Sequence, residues 1–96
     1  MDKIGPGSLK CVAGWSPDRE LRDVLVVALQ AHVPEEDIRP LPGGVVLLYT
    51  DADTAAIRDW LAPRLREGES VLVVEFEQWS GHGPAPDRRW LLRRGH

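Results

Sequence analysis

The spacing of apolar side chains along this chain switches from every second residue to every third or fourth, and back again. Residues 8–15 alternate loosely, with Leu9, Cys11, Ala13 and Trp15 on one side, which predicts a strand. Ser16-Pro17-Asp18 then predicts a helix start. The hydroxyl can take up a free N–H, and proline sits in the first turn, where its missing donor costs nothing. Asp18 and Glu20 face the positive end of the helix dipole. Leu21, Val24, Leu25, Ala28, Leu29 and His32/Val33 recur at helical spacing as one apolar stripe, and Pro34 ends it.

Glu35-Glu36-Asp37 reads as a solvated turn. Residues 38–42 carry two prolines, so they form an edge strand or a loop. Gly43-Gly44 makes a tight connection to Val45-Val46-Leu47-Leu48-Tyr49, which is apolar at every position, as in a central strand covered on both faces. Thr50-Asp51-Ala52-Asp53 predicts a second helix start, with Ile57, Trp60, Leu61 and Leu65 on one face and Gly68 as the stop. Pro63 removes a hydrogen bond and meets the carbonyl of Asp59, a cost of about 3 kcal/mol in a regular helix, so a kink or restart is expected there. Between residues 70 and 79, Leu72, Val74 and Phe76 alternate with Val71, Val73, Glu75 and Glu77, a strand whose second half is polar on one face. Residues 80–86 read as a loop. The last ten residues suit a short strand, a helical turn or a docked tail.

The order β-α-β-β-α-β is that of the ferredoxin-like fold, an α+β architecture with two right-handed crossovers. It predicts two helices on one face of a four-stranded antiparallel sheet, with spatial strand order 4-1-3-2. The proline-bearing strand then lies at one edge. The strand with Glu75 and Glu77 lies at the other, where charge discourages further pairing. Residues 1–80 are expected to form a single domain, and 81–96 a Gly/Pro loop with a basic tail packed on the domain or on a partner subunit. Helices on one face leave Val45, Leu47 and Tyr49, or alternatively Val46 and Leu48, on the other, together with Val71 and Val73 or their alternates. An apolar face is seldom left wet. A second subunit, another protein, a ligand or the chain's own Trp90-Leu91-Leu92 are the candidate covers, and a symmetric homodimer is the expected one.

At 96 residues, 43% hydrophobic and 28% charged, the chain has the size and balance of one globular domain. It contains no run near the ~20 apolar residues of a membrane span. No apolar segment of a signal peptide follows Met1-Asp2-Lys3. Its single cysteine, Cys11, forms no internal disulfide, which suits a reducing cytoplasm, and lies in an apolar context where a thiol packs as a small hydrophobe. The net charge of −3 is unevenly divided. Residues 1–81 hold 8 Lys/Arg against 14 Asp/Glu, a net −6, while residues 82–96 hold four Arg against Asp87 alone, a net +3. An acidic body argues against nucleic-acid binding by the whole domain. It favours a tail that docks on an acidic surface of its own or a neighbouring subunit.

Catalytic motifs are few. Gly5-Pro6-Gly7 and Gly43-Gly44 lack the lysine and context of a phosphate loop, three scattered His and one Cys lack metal-ligand spacing, and no cofactor is expected. Trp79-Ser80-Gly81-His82-Gly83 does not meet the nucleophile-elbow pattern. His82 is the one catalytic candidate, because the two glycines flanking it let the backbone approach a ligand closely; an exposed loop histidine is the plain alternative. His32 is expected to cap carbonyls near the end of the first helix. Among the four tryptophans, Trp79 and Trp90 are candidates to line a pocket or interface with Tyr49 and Trp15, and Trp60 to fill the core. The candidate binding residues are therefore Tyr49, Trp79, His82, Arg88, Arg89, Trp90 and Arg93. The functional expectation is a non-enzymatic binding or accessory module, homodimeric through its open sheet face. A small-molecule enzyme or sensor, with a pocket between sheet and helices using His82 and Tyr49, is the alternative. Nucleic-acid contact through the arginine pairs flanking Trp90 is third.

Overall fold

The computed structural model describes residues 7–95. Four strands, β1 (Ser8–Trp15), β2 (Ile38–Leu41), β3 (Val45–Thr50) and β4 (Ser70–Phe76), form one sheet in the order β2-β3-β1-β4. All three pairings are antiparallel. Counted from the other edge, that order is 4-1-3-2. Three α-helices accompany the sheet: α1 (Arg22–Gln30), α2 (Thr54–Leu61) and α3 (Arg88–Gly95). The architecture is thus an α+β fold with an open four-stranded antiparallel sheet.

Register decides which apolar residues face which layer. Val12 pairs with Val46 and Val73, and these three point toward α1 and α2. With Leu48 and Ile38 they meet Leu21, Leu25, Ala28, Leu29 and Val33, and Ile57 and Leu61 from α2. The layer is close-packed: a Cβ placed on Gly14 of β1 would lie 3.1 Å from the Cδ1 atoms of both Leu21 and Leu25. Leu9, Cys11, Ala13 and Trp15 occupy the opposite, outer face of β1. Pro42, Gly43 and Gly44 form the three-residue loop that turns β2 into β3, with Gly43 and Gly44 at φ +82° and +79°, the left-handed region that favours glycine. Asp53 caps α2 by accepting from the N–H of Ala56 at 2.8 Å. As expected at Pro63, the α-helix stops at Leu61 and a 3-10 turn continues through Arg64.

The expected start of the first helix at Ser16 is not where the helix begins. Ser16 Oγ does accept from the N–H groups of Asp18 and Arg19, both at 3.2 Å, but the chain stays irregular until Arg22. Arg19 is turned instead onto Glu69. Its Nε and Nη2 donate to Oε2 and Oε1 of that carboxylate at 2.7 and 2.8 Å. Ser16 Oγ and the backbone N–H of Arg66 donate to Glu69 as well. This clasp ties the β1–α1 loop to the α2–β4 loop. His32 does not cap carbonyls; its ring stacks on Trp60, with centroids 4.1 Å apart and planes 2° from parallel.

The paired Arg19 guanidinium, with the Arg66 and Ser16 donors, holds the Glu69 carboxyl down from its usual 4.5 to about 2. A carboxylate depressed in the folded state adds stability that is complete above its unfolded value and is lost as pH falls toward the folded one. Acid unfolding followed by circular dichroism should therefore show a loss of stability between about pH 4.5 and 2. Glu69→Gln should be less stable at neutral pH and should lack that part of the acid dependence.

Candidate binding surface

The outer face of the sheet is divided into a covered and an open half, and α3 makes the division. Asp87 starts this helix by accepting from the N–H of Trp90 at 3.1 Å, while its second carboxylate oxygen takes Arg39 Nη2 of β2 at 2.6 Å. The Trp90 N–H, then the Arg39 and Arg93 charges, draw the Asp87 carboxyl below the usual carboxylate range despite some loss of solvation. Trp90 and Leu91, 4% and 3% exposed, pack against Leu9 and Leu47, with Cys11, Leu41, Tyr49, Phe76 and Trp79 around them. The indole Nε1 of Trp90 donates to the carbonyl of Glu36 at 2.9 Å. Arg94 reaches the same turn, with Nη2 on the Glu36 carbonyl at 2.6 Å and Nε 2.7 Å from the Asp37 carboxylate. The basic tail thus docks on an acidic turn of its own chain.

Beyond α3 the outer face is bare. Trp15, Leu72 and Val74 are 57%, 54% and 40% exposed. They are neighbours by register, since Leu72 pairs with Ala13, Val74 with Cys11 and Ser70 with Trp15. Leu92, on the solvent side of α3, is 61% exposed and lies with Trp79 and Ser80 around a shallow depression. Burial pushes the Cys11 thiol up, which disfavours the thiolate.

The candidate residues fall into three groups. Tyr49, Trp79 and Trp90 converge in the second apolar cluster, Trp90 as its buried anchor and the other two half-buried at its margin. Arg88, Arg89 and Arg93 stand exposed along α3. His82 is exposed in the loop after β4 and lines none of the main cavities, so it does not meet Tyr49 in a pocket. A half-open cavity of about 410 Å³ lies at one end of the sheet. It is lined by Gly7, Ser8, Leu9, Tyr49, Phe76, Glu77 and Gln78. Its walls come from the strands and from the segment following β4. It does not lie between the sheet and α1 or α2.

A polar chain escaped the sequence reading. Lys10, only 2% exposed, lies on the helix-facing side of β1. Its Nζ donates to Ser8 Oγ at 2.7 Å and to the Thr50 carbonyl at 2.9 Å, and Ser8 Oγ donates in turn to Glu75 Oε2 at 2.7 Å. A lysine among alternating apolar residues is the one signal the sequence offers, and it does not name these partners. Among the described residues no cluster of three His, Cys, Asp or Glu side chains could hold a metal ion. None of the described helices is long and apolar enough to cross a membrane. No protein-family model matches the chain, and no curated protein or solved structure is significantly similar to it.

Because Trp90 is the buried anchor of α3, Trp90→Ala should cost about 3–5 kcal/mol of stability if the vacated space stays open. Urea unfolding measures this. If α3 instead lifts away as a unit, the loss is smaller and protease cleavage in residues 77–87 should accelerate.

Proposed function

We propose that this protein is a small non-enzymatic binding module of the ferredoxin-like class that works by associating with a second copy of itself through the open half of its outer sheet face. The single observation carrying this reading is the patch of Trp15, Leu72 and Val74, exposed side by side on a sheet whose other apolar surfaces are packed. Contiguous exposed apolar side chains on a small domain mark interaction surfaces more often than they mark anything else. The patch itself carries no charge, so the acidic body of a second copy meets no buried ion there. The βαββαβ order, the sheet order and the antiparallel pairings support the ferredoxin-like assignment, with α3 as an addition that half-covers the second face. Fold alone implies no reaction.

A second reading rests on the cavity beside Tyr49 and Phe76. Two aromatic rings with polar groups at the rim suit a small ligand, and Tyr49→Ala should then abolish its binding while leaving self-association intact.

Leu72→Glu places a charge in the centre of the patch without touching either core. Sedimentation equilibrium should show the native chain passing from monomer to dimer with concentration. The variant should remain monomeric at least tenfold beyond the native midpoint, with an unchanged circular dichroism spectrum. A native chain that stays monomeric at millimolar concentration overturns the reading.

A further inference from the structure

The two edges of the sheet are built differently. At one edge β2 is four residues long, has Pro40 in its middle with no N–H to offer, and is held through Arg39 to Asp87 of the covering segment. Proline, shortness and cover are the usual means of blunting an edge strand. At the other edge β4 is seven residues long, contains neither proline nor glycine, and pairs only with β1. Of the two charges expected to guard it, one lies within the paired strand. Glu75 is the one charged residue within β4, and its exposed carboxylate accepts from Ser8 Oγ on β1, itself held by the buried Lys10. Glu77 falls beyond the last paired residue.

We infer that β4 pairs antiparallel with β4 of a second copy about a two-fold axis at Val73, making one continuous eight-stranded sheet. This rests on the self-association proposed above and places the contact along the β4 edge of the open half rather than face to face. Antiparallel pairing of a strand with itself is self-complementary, as a two-fold interface requires. With the axis at Val73, Leu72 of each copy stands opposite Val74 of the other on the outer face. Val71 then faces Glu75 and Ser70 faces Phe76, so no like charges meet. The apolar floor of Trp15, Leu72 and Val74 becomes continuous across the axis, between the two α3 helices.

Edge pairing sets Leu72 and Val74 of the two copies side by side but leaves Trp15 and the outward surfaces of all three uncovered, so the apolar area buried falls well short of the ~800 Å² per partner of a standard interface. Backbone pairing and the strand flanks add to this, but the dimer should be weak, with a dissociation constant of the order of micromolar.

The test uses two single-cysteine variants in a Cys11→Ala background, Leu72→Cys and Val74→Cys, both at exposed positions and so compatible with folding. Mild oxidation of an equimolar mixture should give a disulfide-linked heterodimer, because directly opposed residues lie within the 4.4–6.8 Å Cα separation that disulfides need. Each variant alone should cross-link several-fold less. Cross-linking of one variant alone as efficiently as the mixture overturns the axis at Val73. Sedimentation of the native chain as a dimer, with no cross-link in any combination, overturns edge pairing while leaving the binding-module reading intact. A native chain that never dimerises overturns both.

Discussion

The paired strands at the centre of the sheet, β1 and β3, are apolar on both faces, and the architecture is an answer to that constraint. Val12, Val46 and Leu48 point to one side, Leu9 and Leu47 to the other, and each set is buried. Two helices can cover one face only. The opposite face therefore recruits α3, which brings Trp90 and Leu91 down onto Leu9 and Leu47. A helix of eight residues has little stability of its own in water, so its order depends on that burial. Asp87 at its start, with Trp90 and Arg94 held to the turn at Glu36 and Asp37, fixes where it lands.

Because α3 is short, the cover is incomplete, and the remaining apolar surface lies against the unblunted edge of β4. Polar contacts elsewhere reinforce this asymmetry. Arg39 and Asp87 fasten the covering segment to β2, whereas the Lys10–Ser8–Glu75 chain links β1 to β4. The Arg19–Glu69 clasp secures the two loops that flank the sheet at the far end from α3. Polar side chains thus decide which parts of an apolar sheet stay uncovered.

Strands and breaks were legible wherever the controlling interaction is local. The alternation of residues 8–15 and 70–76, the double glycine at Gly43-Gly44 and the break at Pro63 all depend on backbone geometry within a few residues, although the helix ends at Leu61 rather than resuming to Gly68. The surplus of tryptophan drew attention to Trp90, but gave no hint that its indole would bond the Glu36 carbonyl. The early helix start at Ser16 and the capping role of His32 were misread for one reason. Arg19 answers to Glu69, 50 residues away, and His32 answers to Trp60, and neither partner is visible in a local window. Of the candidate binding residues, the three aromatics converge because their strands and α3 do. His82 and the exposed arginines do not join them in one pocket.

The order of amino acids by itself determined β1, β3, β4 and the two helices that follow β1 and β3, the tight turn at Gly43-Gly44, the break at Pro63 and the surplus of apolar surface over what two helices cover. Those properties follow from side-chain periodicity and from the backbone restrictions of proline and glycine. Only the tertiary structure decided which face of each strand meets α1 and α2, because a one-residue change of register exchanges the two faces. It also decided that the final residues form a helix, that this helix shields only half the outer face, and that Ser8 bonds the Glu75 carboxylate across the sheet. These outcomes depend on contacts between residues distant in the chain, whose meeting no local pattern encodes.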